Sequence, residues 1–273
     1  MAERFRGRRA LVTGASRGIG AAIAERLAAE GADVAITART LDRHDHLTGS
    51  LRETQARLEP YGTNVAIVVA DLTDEADRRR IVPDAVDALG GPIEILVNNA
   101  AAAIYANVAE FPARRRNIIF TINVYAPLEL AQAVVPAMRD VGEGWIVNLS
   151  SATTDLWHGP PFKVGFLGTT HTIYGASKAA LNRTTNGLAV ELFGTGIRVN
   201  TVQPVSAVLS EGAVELVGEF LRPDQIESME EMVEAVVALC DCAPEVTGQV
   251  LVSLDVIASW GLTVHALDGT ELR

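Results

Sequence analysis

The sequence predicts an α/β fold, a doubly wound parallel seven-stranded sheet in the order 3-2-1-4-5-6-7 with helices on both faces. Three observations predict it. Short apolar, β-branched runs alternate with longer stretches of helical period along nearly the whole chain. The 273 residues are 48% hydrophobic, enough for a sizeable core, and no internal repeat or low-complexity linker divides them. The order βαβαβ occurs twice, and right-handed crossovers together with the doubly wound precedent then place the strands in that sheet order, with ligand sites outside their carboxyl ends.

The strands are expected at Ala10–Thr13, Asp33–Ala38, Asn64–Ala70, Ile93–Val97, Trp145–Leu149, Ile197–Val202 and Gln249–Leu254. Between them, alanine and leucine mix with charges at three- and four-residue spacing near 18–30, 48–59, 74–89, 111–139, 171–193 and 228–241, which predicts helices. A single domain over 1–273 follows, with an insertion at 152–170, a substrate-side segment at 205–222 and a tail at 256–273. The insertion carries Trp157, Phe162, Phe166 and Leu167, and the second segment Val208, Leu209, Leu216 and Phe220. These side chains either wall an apolar pocket or pack the loops against a subunit.

Charge excludes several functions. With 34 acidic and 23 basic residues the formal charge is -11, which repels nucleic acid and anionic membrane surfaces. No apolar run is expected to approach the ~18 residues of a membrane span, and no signal peptide is read, so a cytoplasmic protein is expected. Cys240 and Cys242 stand too close in sequence to bond readily. His44-Asp45-His46 lacks further ligands nearby and reads as solvated loop, so no metal is expected. Arg78-Arg79-Arg80 and Arg114-Arg115-Arg116 read as solvated faces and ion pairs.

Thr13-Gly14-Ala15-Ser16-Arg17-Gly18-Ile19-Gly20 follows the first strand and opens the first helix. Gly14 makes the turn, Gly18 lets backbone approach a pyrophosphate and Gly20 permits close helix packing, while the helix end supplies free N–H groups. At the end of the second strand Thr37-Ala38-Arg39 offers no acid for ribose hydroxyls. Arg39 and Arg17 instead suit a 2′-phosphate, which favours NADP(H) over NAD(H). Asp71-Leu72 ends the third strand and can meet an adenine edge, or equally cap a helix. Asn98-Asn99-Ala100-Ala101 closes the fourth, as a cofactor-facing backbone, a strand-end clamp, or both.

Tyr174 and Lys178 stand one helical turn apart on one face. A nearby lysine cation can bring a phenol with pKa near ~10 toward working range for proton exchange. Ser151 ends the fifth strand and can point a hydroxyl at a substrate carbonyl. Asn123, within Thr121-Ile122-Asn123-Val124-Tyr125, is an amide on an apolar helical face that needs a partner, a water held toward Lys178 being one candidate.

Together TGASRGIG, the Asp-Leu pair at 71–72, NNAA, TINV, NLSS, YGASK and GIRVN resemble the short-chain dehydrogenase/reductase family in its compact branch, over roughly residues 7–255. The resemblance implies a Rossmann-type fold and a homo-oligomer, tetramer or dimer. It matches Asn123, Ser151, Tyr174 and Lys178 to the family's catalytic tetrad. Tyr174 and Lys178 would also bind cofactor, together with Gly14, Ser16, Arg17, Gly18, Ile19, Gly20, Arg39, Asp71, Leu72, Asn99, Ala100 and Pro204. It implies hydride transfer between NADP(H) and a small-molecule carbonyl or alcohol, hydrophobic or acyl-type. A cofactor-binding sensor without catalysis and an enoyl-type reductase are the alternatives.

The chain departs from the family pattern in four places. Ala101 replaces a glycine, Pro204-Val205 replaces Pro-Gly with Ser206 or Ser210 left to replace a threonine, the interval from Ser151 to Tyr174 is long, and no glycine pair follows Asp255. These departures point to a divergent subgroup.

Overall fold

The computed structural model describes residues 3–43, 48–164, 168–208 and 226–272. Strands β1 (Arg9–Thr13), β2 (Asp33–Ala38), β3 (Val65–Val69), β4 (Ile95–Asn98), β5 (Gly144–Leu149) and β6 (Ile197–Gln203) are joined by two short strands, β7 (Ala207–Val208) and β8 (Ile226–Glu227), and by β9 (Val250–Val252). The main sheet runs β3-β2-β1-β4-β5-β6-β9 with every pairing parallel, the predicted order with β9 as the seventh strand. Strands β7 and β8 pair separately, Ala207 with Ile226 and Val208 with Glu227.

Helices α1 (Gly18–Ala29), α2 (Leu51–Leu58), α3 (Glu75–Leu89), α4 (Ala113–Phe120), α5 (Ala126–Val141), α6 (Thr172–Glu191), α7 (Met229–Leu239) and α8 (Ser253–Trp260) cover the sheet. Side chains alternate along each strand, so the sheet has two apolar faces and both need helices. Val12, Ile36, Val97 and Val147 face a core with Ile23 and Leu27 of α1, Leu51 and Leu58 of α2, and Met232, Val233 and Val236 of α7. Leu11, Ala35, Leu96 and Ile146 face the opposite way, toward Ile81 and Ala85 of α3 and Leu130, Val134 and Met138 of α5.

Three expectations are corrected here. The last strand stops at Val252, because Ser253 already opens α8, so the tail from 256 begins inside a helix. The single helix expected over 111–139 is α4 and α5 joined by a π-helical turn at Thr121–Tyr125. That composite, Ala113–Val141, is long and apolar enough by length and composition to cross a membrane, contrary to the sequence reading. In this fold it buries Leu130, Ala131, Val134 and Met138 against the sheet, as a core helix does.

Arg78 also differs from its solvated reading. It is almost buried, forks onto Glu129 of α5 with Nε at 2.6 Å from Oε2, and donates to the Leu72 carbonyl at 3.0 Å. Arg79 and Arg80 make the expected surface ion pairs with Glu75, Asp77 and Asp84, and Arg114, Arg115 and Arg116 are exposed. Cys240 and Cys242 are free and buried just past α7. Among the described residues no cluster of metal-ligating side chains occurs; His44, Asp45 and His46 lie outside them.

Candidate active site

A cavity of about 220 Å³ opens at the carboxyl ends of β1, β2, β3 and β4. Gly14, Ser16 and Arg17 form one wall, Arg39, Asp71 and Leu72 another, and Asn99, Ala100, Ala101 and Ile122 a third. Gly18, Ile19 and Gly20 begin α1 beside it. No side chain caps this helix end and no acid stands in its first turn, so its N–H groups and positive potential remain available to an anion. Gly20 is required by close approach: a Cβ there would lie 2.3 Å from Asn99 Nδ2 and 2.5 Å from the Gly14 carbonyl oxygen.

Asn99 is the clamp that makes this approach close. Its Nδ2 donates to the Thr13 and Gly14 carbonyls at 2.9 and 3.2 Å, while Thr13 Oγ1 accepts the backbone N–H groups of Asn99 and Ala100. Asn98 ties the next strand: its Nδ2 reaches Asn148 Oδ1 at 2.8 Å, and Asn148 Nδ2 reaches Thr185 Oγ1 of α6 at 2.8 Å. A buried polar ladder thus locks β4, β5 and α6 in register.

The two arginines do not simply converge. Arg39 is mostly exposed, its Nη1 3.9 Å from Asp71 Oδ2 at the cavity edge. Arg17 instead turns its fork onto the adjoining loop, with Nε donating to the Thr48 carbonyl at 2.8 Å and Nη2 to Gly49 at 2.9 Å. The Asp71 carboxylate closes a turn through the Thr73 N–H and hydroxyl, both at 2.8 Å, and its own N–H donates to Asp77. Asp74, not Asp71, caps α3.

The second cluster lies at the end of β5. Ser151 Oγ accepts from Thr153 N–H at 3.2 Å and Thr153 Oγ1 at 3.0 Å, and its hydroxyl favours the ionised form of the neighbouring Tyr174 phenol. Gly175 lets α6 sit this close, because a Cβ would meet the Thr153 carbonyl oxygen at 2.3 Å. Lys178 is buried, its Nζ donating to the Leu149 carbonyl at 2.7 Å and lying 5.9 Å from the Tyr174 ring centroid. The expected lowering of the tyrosine is not seen. Desolvation, and then the neighbouring Tyr105, push the Tyr174 phenol above its ordinary range, and the Ser151 hydroxyl offsets this only in part.

Asn123 sits fully buried in the π turn, a local geometry frequent at functional sites. Its Oδ1 accepts Ala102 N–H at 2.8 Å, and its Nδ2 donates to the Ala102 carbonyl and Ser177 Oγ, both at 3.0 Å. The amide therefore has protein partners, where the sequence reading offered a water, and it joins the loop after β4 to α6. Pro204 follows β6, and the next residue, Val205, donates its N–H to the buried carboxylate of Glu227 at 2.9 Å. The Ser253 hydroxyl donates to the same oxygen at 2.7 Å. Ser210, Phe166, Leu167, Leu209, Leu216 and Phe220 lie outside the described residues, and Leu156 and Phe162 are exposed.

Sequence reading missed Tyr105, Thr13, Asn148 and Thr185, isolated polar or aromatic residues whose partners are distant in the chain. It also missed Glu227. Nothing in local periodicity could have found them.

Burial brings the Lys178 ammonium down to about 8 from its ordinary 10.5. An unfolded lysine keeps its proton across that interval, so the unfolded chain binds more protons and stability rises with pH. Against Lys178→Met, the wild-type protein should gain up to about 3 kcal/mol between pH 8 and 10.5, measured by urea denaturation. A flat difference would show the ammonium to be fully hydrated.

A family model for short chain dehydrogenase matches residues 8–214. The chain belongs to the short-chain dehydrogenase family of oxidoreductases. Hydroxysteroid dehydrogenase-like protein 2 of Danio rerio is 30% identical over 252 residues, 92% of this chain and 58% of that protein, so this chain spans little more than half of that relative. A solved short chain dehydrogenase from Mycobacterium thermoresistibile superposes with a TM-score of 0.81 at 28% identity, covering 95% of this chain and 89% of the other. L-Sorbose reductase from Gluconobacter frateurii, solved with NADPH and L-sorbose, has a TM-score of 0.76 and 28% identity over 92% of this chain and 97% of its own.

Proposed function

We infer that the protein is an NADP(H)-dependent oxidoreductase interconverting a carbonyl group and a secondary alcohol on a small, largely hydrophobic or acyl-type substrate. One observation carries the reading: Ser151, Tyr174 and Lys178 meet at the end of β5, beside a cavity built like a dinucleotide cradle.

The residues present fit that cofactor. The uncapped start of α1 with Gly14, Ser16, Gly18, Ile19 and Gly20 suits a pyrophosphate. Arg39, exposed at the cavity edge and only loosely paired with Asp71 at 3.9 Å, would take a 2′-phosphate, with Arg17 shaping the loop beside it. Asp71 and Leu72 would border the adenine, Asn99 and Ala100 a ribose, and Lys178 and Pro204 the nicotinamide end. The bound nicotinamide supplies or accepts the hydride.

The chain's own groups handle the proton and the oxyanion. Tyr174, kept neutral by its desolvated surroundings, holds a transferable proton on its phenol oxygen and donates it in the reduction direction. Ser151 Oγ hydrogen-bonds the carbonyl oxygen as negative charge develops there. Lys178 places a buried ammonium one turn along α6, favouring the phenolate that remains. Asn123 is a positioning residue, fixing the loop at Ala102 and α6 at Ser177.

The test is nucleotide consumption over a panel of hydrophobic ketones and oxoacyl thioesters with NADPH and with NADH. Turnover should favour NADPH. Arg39→Asp should raise the NADPH KM about tenfold to a hundredfold and narrow that preference, through loss of charge-assisted bonds to phosphate. NADPH binding without turnover of any member, in either direction, would instead favour a cofactor-binding sensor.

A further inference from the structure

The loop leaving β4 is held at both ends beside Tyr174. Asn123 grips Ala102 through both its backbone groups. Farther on, Ala106 N–H donates to the Thr170 carbonyl at 2.9 Å, and the Thr169 hydroxyl to Asn107 Oδ1 at 2.9 Å. Tyr105 lies within this fixed stretch. Its ring meets Tyr174 edge-on, with centroids 5.8 Å apart and planes at 73°.

The Tyr105 ring is half-buried and its hydroxyl bonds no other residue among the described ones, although it is not sealed from solvent. Desolvation holds its pKa above the ordinary value, so it stays a neutral phenol able to donate or accept. Immediately before α6 and three residues before Tyr174, His171 packs edge-on to Trp157 at 5.1 Å with Nδ1 buried and unpartnered among the described residues. Burial lowers its pKa, which keeps the imidazole neutral near pH 7. The nearby cation, Lys178, is committed to the Leu149 carbonyl. The described wall therefore offers neutral hydrogen-bonding groups and no counter-ion for a carboxylate or phosphate.

We propose that Tyr105 is a specificity-determining residue whose phenol hydrogen-bonds a second, uncharged oxygen of the substrate, selecting hydroxy- or oxo-substituted carbonyl compounds over monofunctional ones. This rests on the oxidoreductase reading above. A group on a clamped loop loses little entropy when it bonds a ligand. A bound ligand displaces solvent from that phenol, and one without the second oxygen leaves it unpaired, which is the source of discrimination.

Matched probes test this: cyclohexanone against 2-hydroxycyclohexanone and 2-butanone against 2,3-butanedione, with saturating NADPH, in the wild-type protein and Tyr105→Phe. The variant keeps the ring contact with Tyr174, and its melting temperature reports folding. The expected result is a loss of about tenfold in kcat/KM for the hydroxy and oxo probes, with the monofunctional ketones changed less than twofold. Equal losses for both classes would mean a packing role and overturn the inference, as would no loss for either. Turnover of monofunctional ketones alone overturns it while leaving the oxidoreductase reading intact. NADPH binding without turnover of any probe, or of the corresponding diols in reverse, defeats both.

Discussion

Tyr174→Phe is expected to lower kcat by about a thousandfold while leaving the NADPH dissociation constant and the melting temperature nearly unchanged. The size follows from general acid catalysis, which typically contributes 10²–10⁴. The selectivity follows from geometry. Phenylalanine keeps the edge-on contact with Tyr105 and the packing over Lys178, and loses only the hydroxyl beside Ser151. Ser151→Ala should cost about a hundredfold, since it removes one oxyanion donor and leaves the acid in place. Steady-state kinetics with a fluorescence titration of NADPH separate the two effects. If Tyr174→Phe kept activity within a few fold, the proton would come from elsewhere, and His171, at the N-cap of α6, would be the next group to test.

The parts of the site that were legible in the sequence are those where chemistry demands a local pattern. The glycine loop could be read because close backbone approach leaves no room for a Cβ at Gly20. Tyr174 and Lys178 could be read because helical periodicity puts them on one face and the glycine loop and strand-end motifs around them give that face a use. The sheet order followed from alternation, crossover handedness and the doubly wound precedent.

What was not legible depends on partners far away in the chain. Asn123 was identifiable as an amide in the wrong place, but its partner Ala102 is a backbone unit in another loop. Arg78 looks solvated until Glu129, 51 residues on, covers it. Arg17 looks like a phosphate ligand, whereas loop carbonyls claim its fork. Asp71 carries the same lesson, since a carboxylate at a strand end serves a turn as readily as a ligand. The end of β9 was misread for a different reason: Val250–Val252 and the apolar residues after it share one hydrophobic run, and nothing local marks Ser253 as the change to helix.

The same logic of distant partners underlies the largest expected effect on stability. Arg26, in α1, is 2% exposed, and Glu30 and Glu234 are each 4% exposed. Arg26 Nε donates to Glu30 Oε1 at 2.5 Å, Nη2 to Glu234 Oε2 at 3.1 Å and Nη1 to the Ala266 carbonyl at 3.3 Å. Glu234 also takes the His265 N–H at 3.1 Å, so one guanidinium joins α1, α7 and the chain after α8. Arg26→Met should destabilise the protein by about 3–5 kcal/mol in urea denaturation, because it leaves two buried carboxylates with poor compensation, Glu30 with Arg4 Nη1 at 3.9 Å and Glu234 with His265 Nδ1 at 3.1 Å. Neutralising all three, with Arg26→Met, Glu30→Gln and Glu234→Gln together, should recover most of that loss, since no uncompensated charge then remains. Failure to recover would assign the cost to lost packing and to the unmade Ala266 bond instead of to charge. The outcome bears on the cofactor end as well, because α1 starts at the glycine loop. In urea concentrations that begin to unfold Arg26→Met, its apparent NADPH affinity should fall with the folded fraction, whereas the triple variant should bind as the wild-type protein does.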